Sequence, residues 1–270
     1  MPMPNICTRD APDQINVYSD RSWLFPLKQF FSLGGAGVWW PNRSHKSVEH
    51  NDNMPSQLTY IPLSHAETQI TFQTQTNEGL RLYTSIGGFA GSSTRTELAA
   101  GIIAVCSNGP VHIGSDSRAF IDKASYYITL IKQNKQPKRT WKTVSDGDLW
   151  EHFYEAVKIK GANSVKISWV KGHATQQHIV DGITTQEHLV GNDESDRTAD
   201  LGAELHGKDL IRIAGKMQAK HKAYTRFMTD VAKHLIEGYL IHRELIEIQN
   251  DKNNQANDSD ANKIEYLEKK

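Results

Sequence analysis

Residues 93–116, STRTELAAGIIAVCSNGPVHIGSD, decide how the chain folds. Thr94-Arg95-Thr96-Glu97 has the spacing of a capping box, and Leu98–Val105 is apolar enough to predict a buried helix. Asn108-Gly109-Pro110 then breaks the chain, because Pro cannot continue a helix and Gly tolerates a sharp turn. Val111–Gly114 follows as a short buried strand that runs into Ser115-Asp116. A helix feeding directly into an apolar strand is the unit of an α/β protein.

Downstream, the same alternation continues. A helix is predicted from about Ser117 to Lys132, and an amphipathic helix over Asp146–Lys160 places Leu149, Trp150, Phe153, Ala156 and Val157 on one face. Val165–Val170 is a strand that leads straight into Lys171-Gly172-His173. A polar loop then spans 174–190, and Asn192 is expected to open a helix through about His206. Upstream, Ile15–Tyr18, Gly34–Trp40 and Leu80–Gly88 read as strands with no long helix between them, which favours an antiparallel meander. Residues 41–78 form a polar insertion with strand-like patches at Leu58–Ile61 and Gln69–Phe72. The expected domain covers 14–206, after a flexible end over 1–13. A helical extension over 207–249 and a polar, disordered tail over 250–270 follow it.

Composition narrows the function classes. The two cysteines, Cys7 and Cys106, build no disulfide framework and have no metal-ligand spacing, which points to a reducing, intracellular compartment (nucleus or cytoplasm). No apolar run reaches the roughly 18–20 residues that cross a bilayer, and the first residues lack a signal-peptide core. Net charge is zero, from 31 Lys+Arg against 31 Asp+Glu. The charges are nevertheless unevenly spread: Lys123–Ser145 contains no acid while carrying Lys132, Lys135, Lys138, Arg139 and Lys142, and 208–226 sets six basic residues against Asp209.

Four acids stand at the expected element ends. Asp20 and Asp116 follow predicted strands, and Glu97 and Asp196 sit in the first turns of predicted helices. Each taken singly has an ordinary structural role as a cap or a turn. Their order and flanks carry more: Val17-Tyr18-Ser19-Asp20, Thr94-Arg95-Thr96-Glu97-Leu98-Ala99-Ala100, Ile113-Gly114-Ser115-Asp116-Ser117, Trp169-Val170-Lys171-Gly172-His173 and Gly191-Asn192-Asp193-Glu194-Ser195-Asp196. This ordered set resembles the type 1 ribonuclease H family, with wording most similar to ribonuclease H domains of retroelements.

The resemblance implies a ribonuclease H-like fold, a five-stranded mixed sheet flanked by helices, and a nuclease that cuts the RNA strand of RNA–DNA hybrids. It implies Asp20, Glu97, Asp116 and Asp196 as carboxylate ligands of two Mg²⁺ ions, with Mn²⁺ able to substitute, and His173 as a catalytic histidine. Such chemistry needs acids, because water must be activated and the charge developing on phosphate neutralised by hard-oxygen-bound ions. Ser92, Ser93 and Thr94 stand where family members often present Asn side chains to the substrate, and Asn192 lies in the family's Gly-Asn-Glu segment, where Asp193 replaces Glu. A second departure is Arg21 after the first acid, where the family usually has Gly. Lys135, Lys138, Arg139, Trp141 and Lys142 are similar in place to the basic handle of some members, suited to phosphate and base contact. His178 and His188 in the long loop read as solvated. Residues 208–249 read as one or two helices whose basic first half would either extend the nucleic-acid surface or dock a protein partner. The rival readings are a catalytically weak or silent nucleic-acid-binding module of a retroelement-derived protein, an interaction domain, and another nuclease of the same superfamily.

Overall fold

The computed structural model describes residues 2–28, 30–47, 58–87 and 91–268. Its strands are β1 (Val17–Leu24), β2 (Leu33–Pro41), β3 (Arg43–Ser44), β4 (Thr59–Tyr60), β5 (Phe72–Gln75), β6 (Gly79–Ile86), β7 (Val111–Ser115) and β8 (Val165–Trp169). Its helices are α1 (His65–Ile70), α2 (Ser93–Val105), α3 (Arg118–Lys132), α4 (Gly147–Lys160), α5 (Gln176–Val180), α6 (Gln186–Glu204) and α7 (Lys208–Glu268). Residues 1–216 and 217–270 form two compact units.

The main sheet has the order β5-β6-β2-β1-β7-β8. β1, β2, β6 and β5 pair antiparallel in turn, whereas β1–β7 and β7–β8 are parallel. The sheet is mixed, as the alternation of elements requires, but it has six strands rather than five. The extra strand comes from the insertion: Ser64 and Glu67 close a capping box that starts α1, so Gln69 and Ile70 end a helix and Phe72 begins an edge strand. Arg43 anchors the insertion, its guanidinium donating to both oxygens of Glu67 at 2.7 and 3.0 Å while stacking 4.7 Å over Trp40. Both partners are buried, so removing either would strand a charge at a cost of about 3–5 kcal/mol. Part of the insertion, 48–57, and Gly88 of the third predicted strand lie outside the described residues.

Strand alternation assigns the two faces. Ala36, Val38 and Trp40 of β2 join Val17, Leu80 and Leu82 in the main core, under α2 and the aromatic group Phe120, Trp150 and Phe153. The intervening Gly35 and Gly37 face α6, where a Cβ on Gly37 would meet Ala199 N at 2.2 Å. β2 and α6 therefore touch backbone to backbone, which sets α6 close over β1 and β2. The first residues are tied down rather than loose: Cys7 N–H donates to Lys160 O and Ala11 N–H to Asn163 O, each at 2.8 Å. Past residue 207 a single helix runs to Glu268, through the stretch whose composition reads as a tail.

Candidate active site

β1 carries the first acid inside the strand, not past its end. Asp20 pairs in register with Gly37, and the strand continues to Leu24 against Leu33. On its other side β1 pairs with β7 only at Val17↔Ile113 and Tyr18↔Gly114. The gap beyond Tyr18 receives the other carboxylates. Asp116 follows Ser115, the last residue of β7. Glu97 comes from the second turn of α2, because Ser92 rather than Thr94 caps that helix, its Oγ accepting from Arg95 N–H at 3.0 Å.

Ligand atoms of Asp20, Glu97 and Asp116 all lie within 4.8 Å of one another. Glu97 is fully buried. Its Oε1 accepts from Ser115 Oγ at 2.6 Å, whereas its buried Oε2 accepts no hydrogen bond. Burial, then the charges of Glu97 and Asp116, push the Asp20 carboxyl far above the ordinary range, while the Arg21 N–H at 2.7 Å opposes this weakly. Burial likewise raises Glu97, against the Ser115 hydrogen bond. Acids gathered so closely repel unless protonated or bound to a cation, and the donors are hard oxygens with one left unpartnered. The residues fit a divalent ion of the Mg²⁺ type.

Asp196 lies outside that trio, in the interior of α6, which starts at Gln186 and not at Asn192. It is near enough that the Asp116 charge acts on it. Burial and Asp200 raise its pKa, and His173 pulls the other way. His173 is exposed at the turn after β8, in the left-handed region at φ 47. Asn192 is buried on α6 with its Oδ1 unpartnered.

Ser92, Ser93 and Thr94 open α2, the helix that carries Glu97, and are half-buried. Lys138 and Arg139 line a cleft of about 350 Å³ with Lys123, Tyr126 and Tyr127. Lys135 and Lys142 are exposed near it in sequence. Trp141 turns inward, its ring 5.3 Å from Tyr127 and 5.7 Å from Tyr154. His178 and His188 are not simply solvated. His178 Nδ1 accepts from Thr175 N–H at 3.0 Å, and His188 Nδ1 lies 2.9 Å from Tyr18 Oη.

Three residues of the quoted motifs build the site in ways that the sequence alone does not assign. Ser115 orients Glu97, and Gly172 leaves the space that Asp116 fills. Arg95 clamps the start of α2 to that of α4 through Asp148 at 2.8 and 2.5 Å. Gly172 had a legible signal, a glycine between two functional-looking side chains; Ser115 and Arg95 had none apart from three-dimensional placement. Among the described residues, no helix is long and apolar enough to cross a membrane.

The sequence matches the RNase H family over residues 65–204, a span that holds Glu97, Asp116, His173 and Asp196 and leaves Asp20 before it. No curated protein matches it. Among solved structures, it is similar to LC9-RNase H1, a type 1 RNase H with the type 2 active-site motif, at 18% identity and a TM-score of 0.40 over 75% of this chain and 74% of that one. It is similar to the PFV RNase H domain at 20% identity and TM-score 0.41, over 70% and 93% of the two chains. The prototype foamy virus protease–reverse transcriptase is matched at 17% identity and TM-score 0.42, over 72% of this chain but 22% of that one. With the family's sequence pattern matched over just over half its length, the chain belongs to the RNase H family.

Proposed function

We propose that this chain is an endoribonuclease that hydrolyses the RNA strand of RNA–DNA hybrids, leaving 5′-phosphate and 3′-hydroxyl ends. The observation that carries this is the convergence of Asp20, Glu97 and Asp116 within 4.8 Å at the gap between β1 and β7. These three would hold two divalent ions together with Asp196, Mg²⁺ being the ion of choice and Mn²⁺ a substitute. Bound there, the ions supply activation of water and neutralisation of the phosphate's charge.

The chain's own groups do the rest. Burial of Asp20 and Glu97 keeps water away from their oxygens and makes their charge available to a cation rather than to solvent. His173, exposed and close enough to Asp196 for their charges to interact, can carry a proton between solvent and the departing 3′-oxygen, since an imidazole has one ring nitrogen to accept a proton and another to donate one. Hydroxyls of Ser92, Ser93 and Thr94 at the start of α2 suit phosphate or 2′-hydroxyl contacts. The basic stretch around Lys138 and Arg139 grips the backbone without reading sequence.

The test is a cleavage assay on end-labelled RNA–DNA hybrid, double-stranded RNA and single-stranded RNA, each with Mg²⁺ or EDTA. Internal cleavage of RNA in the hybrid alone, abolished by EDTA, is expected. Hybrid binding without any cleavage would favour the silent nucleic-acid-binding module instead.

A further inference from the structure

Arg21 touches the carboxylate cluster twice. Its backbone N–H donates to Asp20 Oδ1 at 2.7 Å, and its Nε stands 3.7 Å from Glu97 Oε2. That oxygen is the buried one that accepts no hydrogen bond, so the guanidinium is the positive group facing the open side of Glu97. A separation of 3.7 Å is an ion pair without a hydrogen bond. The Arg21 side chain is 40% exposed against 0% for Glu97, so it can leave the pair and enter water without burying anything.

The geometry points to Arg21 as a resident cation of the cluster: it holds Glu97 Oε2 when no metal is bound, a divalent ion taking that oxygen displaces it, and the freed guanidinium meets a phosphate of bound nucleic acid. This inference rests on the metal-site assignment above. A cation already in place relieves repulsion among the acids and so stabilises the metal-free fold, while competing with any incoming ion. A phosphate that draws Arg21 outward removes the competitor. Ion and nucleic acid therefore each tighten the other's binding, and the coupling is reciprocal. Arginine suits the second station, because its planar fork matches phosphate oxygens.

The full chain, as wild type, Arg21→Gln and Arg21→Lys, is titrated with Mn²⁺ by calorimetry without substrate and melted in EDTA. Its binding to an uncleavable duplex of DNA with 2′-O-methyl RNA is measured with and without Mn²⁺. Arg21→Gln should bind Mn²⁺ roughly two- to fivefold more tightly, the upper part of the range for a solvent-accessible ion pair. It should also melt lower in EDTA and lose most of the Mn²⁺-dependent gain in duplex affinity. Arg21→Lys, which keeps the charge but not the fork, should fall between the two, and it decides the matter should Arg21→Gln not fold. Unchanged or weaker Mn²⁺ binding by the folded variants overturns the inference while the metal site stands. A wild type that binds no Mn²⁺ overturns the metal site and this inference with it.

Discussion

A Cβ on Gly172 would lie 2.2 Å from Asp116 Oδ2 and 3.0 Å from Asp116 Cβ, so the turn after β8 and the acid after β7 share one space. The turn is fixed to β7 by the Val170 N–H, which donates to Ser115 O at 3.0 Å. Any side chain at 172 must therefore push Asp116 or tear the turn from the strand. Gly172→Ala should fold with a loss of roughly 1–3 kcal/mol, the usual cost of overpacking. It should also lower turnover on hybrid by about 10²-fold, as an ångström-scale misplacement does. Calorimetric Mn²⁺ titration and single-turnover cleavage check this; parental ion affinity in Gly172→Ala would detach the turn from the site.

The raised carboxyls make stability depend on pH in a definite direction. Asp20 and Glu97 have pKa values above those of the unfolded chain, so in the window between, the folded state binds more protons than the unfolded one. Stability of the metal-free protein should fall as pH rises from the ordinary carboxylate range into the raised one. Melting temperatures in EDTA at pH 5 and pH 8 should differ accordingly, and Mg²⁺ should narrow the difference by binding the ionised acids. Asp116→Asn removes one like charge, so it should melt higher in EDTA at pH 8, respond less to Mg²⁺, and lose cleavage.

Which of these relationships could be read beforehand follows from their range along the chain. The alternation of β7, α3, α4 and β8 was legible because each element carries its own period and stop signal. Asp20 is expected at a strand end because Ser19-Asp20-Arg21-Ser22 is polar, yet the backbone of this stretch pairs with residues 13–19 positions away on β2. Asp196 is expected in a first turn for the converse reason: the helix begins six residues before Asn192, capped by Thr185 inside a stretch whose polarity reads as loop. The sixth strand depends on α1 ending at Ile70, which in turn depends on a cap whose Ser64 Oγ also donates to Cys106 O at 2.7 Å. Long-range support of that kind leaves no periodic trace. The carboxylate trio was legible by resemblance, and its closeness only in three dimensions.

His173 occupies the left-handed region at φ 47, where glycine is freest and where histidine, like Asn and Asp, is found more often than other side chains. His173→Ala should slow turnover at saturating hybrid by roughly 10²–10⁴-fold, with Mn²⁺ affinity little changed. His173→Gly should be equally slow, yet more stable than His173→Ala by about 1 kcal/mol, since glycine accepts that backbone freely. Pre-steady-state cleavage and thermal melting separate the two effects; a large drop in Mn²⁺ affinity in both variants would make His173 a ligand instead.

The basic stretch separates grip from chemistry, and the inward packing of Trp141 sharpens the test. Lys138 and Arg139 line an open cleft, and Lys135 and Lys142 are exposed, so none of the four supports the core. Replacing all four with Gln should leave folding intact, raise KM, and flatten the dependence of log affinity on log salt by nearly one unit for each phosphate no longer neutralised. The rate at saturating hybrid should hold, because the carboxylates are untouched. Trp141 belongs to the other class: it packs on Tyr127 and Tyr154 at the margin of the main core. Trp141→Ala should cost roughly 2–3 kcal/mol, somewhat less than a fully buried tryptophan, and should leave the salt slope unchanged. Equilibrium unfolding and hybrid binding at several salt concentrations check both variants. A fourfold variant with the parental slope would move the grip away from this segment, to Lys208–Arg226 at the start of α7.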